Sequence, residues 1–427
     1  MADRSHCDDL MTFIAASPSP YHVVASAADM LGRAGFRRQR EADAYSGATG
    51  GHFVVRGGAL VAWHVPAGTG PRTPFRIVGA HTDSPNLKIK PSADTSTLGW
   101  RQAAVETYGD VPLDSWFDRD LGISGRLALR DGSTRLVCID RPLLRIPRPA
   151  VGPDAGAGGP FRLDPRRHSA PVWGLGGAED GSLLGRIADE SGTDLYEILG
   201  WDLMLHDIQP PAYLGDREEF LVASRLDNLV AVHAGITAIT DVAALGAVCS
   251  APVAVLVAFD HEEAGGGSGA GVRSRLLEEV LSRSVTARGG AAEDEERALA
   301  QSYYVSTSMT HAVNPNQPEC HDPDYCPLPN GGPVVKTSAN QAYGTDGQGL
   351  AMFARICERT GTPWQQFVAD GSLSCGTTLG PAVAARLGVP TIDVGVAGLS
   401  MHSARELCGA DDPLLLTTVL AAFLSAA

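Results

Sequence analysis

Two short strings in this chain hold residues able to run a hydrolysis. One is Asp260-His261-Glu262-Glu263, set directly after the apolar run Pro252–Val257 and followed by the glycine-rich Ala264–Gly271. The other is His81-Thr82-Asp83, set after Phe75–Ala80. Ionised carboxylates rarely enter a core unless they are paired or bound to metal. Two adjacent glutamates at the end of a buried strand therefore suit a division of labour, in which one holds a cation and the other takes a proton. Each string taken alone has a plainer reading: a solvated loop for the glutamates, and for His81 a structural histidine hydrogen-bonded to a neighbouring carboxylate.

The elements that must position these groups are buried strands, because each string sits where an apolar, β-branched run stops. Ligands of open α/β sheets bind at the carboxyl ends of parallel strands. Two further runs end in the same way. Ser302–Ser306 leads into Thr307-Ser308-Met309-Thr310-His311, and Thr391–Val396 leads into Leu399-Ser400-Met401-His402. Ser224–Asn228 opens a helix that the spacing carries to about Leu245. Asp227, in its first turn, fits either a macrodipole-favoured carboxylate or a ligand that bridges two metals. Strands separated by helices predict an α/β domain with a largely parallel sheet.

Pro91 to about Ala223 has a different character. Short β-like pieces (Ser124–Leu129, Thr134–Asp140) precede a run rich in Pro, Gly and Arg, Ile146–Gly177, that reads as loop. The expected organisation is a catalytic domain built from residues 1–91 and 224–427, with an inserted β-rich domain at 92–223. Elsewhere the pattern predicts two helices between Asp8 and Leu31, a hairpin over Gly51–Val65 and a final amphipathic helix over Asp412–Ala426. Glu278–Ala300 reads as a solvated helix or loop.

A chain of 427 residues, 44% hydrophobic and 19% charged, is globular and long enough for two domains. Its net charge of −15 and pI near 5.2 argue against nucleic acid or an anionic membrane as the main partner. No apolar run approaches the ~20 residues that span a bilayer, and the first residues lack a secretory pattern, so a cytoplasmic location is expected. Eight cysteines without regular spacing make no disulfide framework. Cys320-His321 and Cys326 lack the second pair of a zinc clip and read as reduced thiols in a loop.

Imidazole and carboxylate together suit zinc, manganese or cobalt. With Gly79–Pro85, Trp116–Leu121, Arg225–Asn228, Asp260–Glu263, His311–Asn316, Cys375–Pro381 and Met401–Ser403 in this order, the chain resembles the aspartyl aminopeptidase family. These are dinuclear zinc exopeptidases that remove N-terminal acidic residues. The resemblance implies a metallopeptidase α/β domain with an inserted β-rich domain, assembled into a homo-oligomer, typically a dodecamer. It implies that Asp227 bridges two zinc ions, that Glu263 and His402 complete one site and that His81 belongs to the other. Glu262 would be the general base, Asp83 would orient His81, and Lys336 and Tyr343 would contact a peptide or amino-acid amide substrate, the lysine pairing with an acidic side chain.

Two departures stand out. Ser308 replaces the aspartate that the family uses as third ligand of the His81 metal, and a neutral hydroxyl is a poor ligand for a divalent cation. Weak or absent metal is therefore expected there, with one or two zinc ions per subunit. Gly152 stands where the family carries a histidine that reaches a neighbouring subunit, and His168 lies nearby in sequence. The leading expectation is a metal-dependent aminopeptidase with Glu262 as base. The alternatives are a repurposed single-metal amide hydrolase acting on a non-peptide amino-acid derivative, and an inactive oligomeric homologue. Retention of Glu262, Glu263, His402, Asp227, His81 and Asp83 weighs against the last.

Overall fold

The computed structural model describes residues 4–148, 163–164, 168–245, 251–368 and 378–426. Five strands frame the site: β1 (Phe75–His81), β2 (Val253–Phe259), β3 (Tyr303–His311), β4 (Val334–Thr337) and β5 (Thr391–Leu399). They belong to a twelve-stranded sheet in which β2, β1, β3 and β5 lie side by side and run parallel. β4 pairs antiparallel with β5.

The parallel centre is covered on both faces. In β2 every residue is buried. Ala254, Leu256 and Ala258 face a core shared with the helices Ser5–Ala15, Pro20–Arg33, Leu226–Ala244 and Asp412–Leu424. The alternate residues Val253, Val255, Val257 and Phe259 face a second core, under Leu276–Ala287 and Leu379–Leu387. Burial on both sides explains the unbroken apolar run, since each such side chain contributes roughly 1.5–3 kcal/mol. Gly79 is required in β1 because a Cβ there would lie 1.8 Å from the Tyr304 hydroxyl.

The helices at 5–15, 20–33 and 412–424 and the hairpin Gly50–Arg56/Ala59–Val65 fall where the pattern placed them. Glu278–Ala300 does not. Leu276–Ala287 buries Leu276, Leu277, Val280, Leu281 and Val285 against the sheet, and only the following helix, Ala292–Leu299, is largely solvated. The apolar stripe was masked by Glu278, Glu279 and Arg283 on its outer face.

A second sheet has six antiparallel strands in the order Thr134–Leu144, Leu121–Leu129, Ile198–Asp207, Asn86–Thr97, Trp100–Tyr108 and Val172–Leu175. The helix Leu183–Ser191 packs on its own core. The last strand lies inside the stretch expected to be loop, where it pairs with Trp100–Gln102. Gly152 lies outside the described residues. Ala212–Leu214 and Phe220–Ala223 join the large sheet. Among the described residues no helix is long and apolar enough to cross a membrane.

Candidate active site

β1 and β2 end in register, with His81 opposite Phe259, so His81 and the carboxylates after β2 emerge at one edge of the sheet. The chain turns sharply there. His261 is left-handed (φ 60°), Glu262–Ala264 form one 3-10 turn, and Gly265 and Gly266 have φ of 82° and 66°. The glycines of this stretch let the loop close back on itself, with the Gly266 N–H donating to the His261 carbonyl at 2.7 Å.

Asp83 fixes this turn to β1. One of its carboxylate oxygens accepts from the Glu262 N–H at 3.1 Å, and the other accepts from the Glu263 N–H at 3.0 Å and the Tyr108 hydroxyl at 2.7 Å. His81 Nδ1 lies 3.0 Å from the Asp83 carbonyl, which only accepts, so the ring hydrogen is placed on Nδ1. Nε2 faces Asp227 Oδ1 at 3.5 Å.

Asp227 is set by its main chain. Its N–H donates to Glu406 Oε2 at 2.9 Å, its carbonyl accepts from Ser84 Oγ at 2.7 Å, and Asn228 Nδ2 donates to the Thr307 carbonyl at 2.8 Å. Its φ and ψ are not helical, and the Asp227–Asn228 peptide is cis. The expected helix therefore extends over Leu226–Ala244 with an irregular first turn. His402, left-handed at φ 68°, follows β5 and donates its N–H to the other Glu406 oxygen at 2.6 Å. Its Nε2 lies 3.6 Å from Asp227 and 3.4 Å from Glu263.

Two ligands on one tetrahedral zinc, with bonds of ~2.0–2.1 Å, stand ~3.3 Å apart. His402 Nε2 stands at about that spacing from both Asp227 and Glu263, and His81 Nε2 from Asp227. One ligand atom each from His81, Asp227 and Glu263 also lie within 4.8 Å of one another. The electrostatics ask for a cation. Burial alone would depress both histidines, yet Glu262, Asp227 and Asp83 hold His81 well above its ordinary pKa, and Asp227 and Glu263 lift His402 to about 9. Burial also pushes Glu263 and Glu262 upward, against the pull of the histidines. Asp227 stays below the usual carboxylate range, because His402 and His81 outweigh its burial. The residues fit a divalent ion.

The opposite wall is different. Ser308, near the end of β3, receives the Lys336 ammonium at 2.5 Å, and the same nitrogen donates to the Met309 carbonyl at 2.8 Å. Lys336 comes from β4 and is only 4% exposed, with its nitrogen 5.5 Å from the centre of the Tyr343 ring. Ser308, Lys336 and Tyr343 line one cleft, open to solvent, with His81, Asp227, Glu262, Glu263 and His402.

Every site residue expected from sequence thus lines this cleft except Asp83, which lies behind it and holds the turn. His168 does not line it; its Nδ1 accepts from the Asp164 N–H at 2.9 Å. Glu406, Tyr108, His311, Asp110 and Arg273 were not singled out. His311, Asp110 and Arg273 line the cleft, while Glu406 and Tyr108 hold the residues that do. The available signal for Glu406 was a carboxylate at the head of the apolar Leu407-Cys408, the same oddity that marked Glu262 and Glu263.

Residues 13–424 match the family described as Aminopeptidase I zinc metalloprotease (M18). The chain belongs to the M18 aminopeptidase family. It is a metallo-aminopeptidase, a hydrolase with a mixed α/β fold. A Streptomyces coelicolor protein called Probable M18 family aminopeptidase 2 is 56% identical over 425 residues, covering 99% of this chain and 98% of its own. A protein of the same name from Mycobacterium tuberculosis (strain H37Rv) is 47% identical over 435 residues, covering 100% of this chain and 99% of its own. Among solved structures, a chain of the Ape4 and Nbr1 complex superposes with a TM-score of 0.92 at 32% identity, over 99% of this chain and 86% of that one. The S. cerevisiae mApe1 dodecamer superposes at 0.86 with 27% identity, over 99% and 97%.

Proposed function

We infer that this M18 enzyme releases N-terminal residues from peptides with one resident zinc, held by Asp227, Glu263 and His402, and with Glu262 as general base. The observation that carries this reading is the spacing of His402 from Asp227 and Glu263, beside a glutamate whose pKa burial raises. Zinc bound there supplies an activated water and polarises a carbonyl. Glu262 accepts the water's proton as the carbon–oxygen bond forms, then passes it to the leaving amine as the carbon–nitrogen bond breaks. Burial, with the nearby Asp83 and Asp227, raises its pKa above the ordinary carboxylate value, the direction a proton acceptor needs.

Asp83 is the positioning residue: it fixes the ring of His81 and the backbone of both glutamates. Lys336 and Tyr343 are the substrate-facing pair on the far wall. Lys336 and the exposed Arg273 supply positive charge to the cleft, which favours acidic N-terminal residues. Ser308 and the ammonium docked on it leave His81 and Asp227 too few donors to hold a second ion tightly. The single-metal variant of the family chemistry is favoured for this reason.

The inserted unit, whose six-stranded sheet spans Asn86 to Asp207 rather than the expected 92–223, is proposed as the contact between subunits. Exposed Leu98, Trp100 and Leu175 gather at one end of its sheet, where Trp100 pairs with Leu175, and mApe1 is described as a dodecamer. The test of function is hydrolysis of aspartyl and glutamyl amides by the zinc-loaded protein. Glu262→Gln is expected to lower kcat by about 10³-fold with metal content unchanged. Undiminished turnover by Glu262→Gln contradicts the assignment.

A further inference from the structure

The opposite edge of the same sheet carries a cluster of positive charge. β1 and β3 begin there, with Arg76 in register with Tyr303 and its guanidinium 5.1 Å from the centre of the Tyr303 ring. Both residues line a pocket with Arg355, Ile356 and Arg359 of the helix Gly347–Thr360 and Phe423 of the helix Asp412–Leu424. Ile356 and Phe423 are buried and make its floor apolar. Arg355 and Arg359, four residues apart and both exposed, share one helix face.

Many arginines of this chain are paired with carboxylates, as Arg119 is with Asp207 and Arg386 with Glu278. Among the described residues, no carboxylate pairs with Arg76, Arg355 or Arg359, and none lines their pocket. Their hydrogen bonds go to neutral carbonyls: Arg76 Nη1 donates to Phe75 at 3.2 Å and Gln301 at 3.1 Å, and Arg359 Nη2 to Ala422 at 3.2 Å. Burial lowers the Arg76 pKa, with only Tyr303 opposing it. Three guanidinium groups gathered without an acid run against the composition of a chain with net charge −15. Like charges four residues apart on a helix repel, and a half-buried cation loses hydration. A bound anion offsets both costs.

We propose that this pocket binds a phosphate-bearing anion, of the class of pyrophosphate or a nucleoside diphosphate, at a site separate from the catalytic cleft. Guanidinium forks match phosphate oxygens two at a time. Three of them around one pocket suit a group with at least two negative charges, which a phosphate carries and a single carboxylate does not. From Arg76 to His81, β1 spans roughly 17 Å at about 3.3 Å per residue, so the anion does not reach the residues of the cleft.

The experiment titrates pyrophosphate, ADP and adenosine into the full-length zinc-loaded protein by calorimetry. Both anions are expected to bind and adenosine is not; failure of both anions, or adenosine binding as well as ADP, overturns the proposal. Equal affinities for the two anions assign recognition to the phosphates alone, and tighter binding of ADP assigns it to the nucleotide. Arg355→Gln/Arg359→Gln is expected to weaken anion binding by about 10–10²-fold, with peptide hydrolysis unchanged. Phosphates also coordinate zinc, so the titration is repeated on Glu263→Ala protein stripped with chelator. Binding retained there supports the site, whereas binding lost with the metal places the anion in the cleft and overturns the proposal. An arginine double variant that binds as the wild type does but changes the size of the assembly makes the cluster a subunit contact, which also overturns it.

Discussion

The two walls of the cleft are built from the same kind of element yet present opposite chemistry. On one, Asp227, Glu263 and His402 converge from a helix start and two strand ends, and Glu406 ties two of their main chains together. On the other, His81 is equally well oriented, but its neighbour across β3 is Ser308 capped by an ammonium. The backbone is prepared for ligands on both walls, and one ligand atom each from His81, Asp227 and Glu263 lies within 4.8 Å of the others, so the proposed inequality of the walls rests on Ser308 and the ammonium docked on it. A metal centre thus depends on its last donor as much as on the scaffold beneath it.

The largest expected effect breaks the comparison at its strong side. Glu263→Ala removes a buried ligand, so zinc content should fall to near zero and activity by at least about 10³-fold, whereas Ser308→Ala should leave metal content unchanged. Metal analysis of the two purified variants checks both, and equal loss would contradict an inequality between the walls. Next comes Glu406→Gln, which keeps the shape but weakens the acceptor shared by the Asp227 and His402 N–H groups. Zinc affinity is expected to fall about 10–100-fold, read by chelator competition.

The smallest effect concerns pH. In metal-free protein His402 has a folded pKa of about 9 against an ordinary 6.5, because Asp227 and Glu263 outweigh its burial. The folded state therefore binds the extra proton in that window. Its stabilisation is complete below pH 6.5 and is lost as pH rises through about 9. The thermal midpoint of the metal-free protein should decline between those values. Zinc displaces the proton, so loaded protein should lack the decline. Parallel pH profiles for the two forms would show that His402 does not meet the metal.

Much of this was legible because apolar runs that stop at charged residues report both a buried strand and its functional end. His81, Glu262, Glu263 and His402 were placed at strand ends that way, and the structure brings all four to one cleft. Asp227 was ambiguous, since a carboxylate in a first helical turn has an ordinary reason to be there. Glu406 and Tyr108 escaped because they act on backbone N–H groups and a carboxylate brought near only by folding. The helix Leu276–Ala287 was hidden by charges on its outer face, and the strand Val172–Leu175 by the prolines and glycines around it. The substitution at 308 was visible, but not the lysine that docks on it, since Lys336 lies on another strand.

The inequality of the two walls is tested most directly by counting zinc in the native, fully loaded protein by mass spectrometry under non-denaturing conditions, alongside Ser308→Asp/Lys336→Met. One tightly bound ion per subunit in the wild type, rising to two in the double variant, is the predicted result. Two tightly bound ions in the wild type would contradict it.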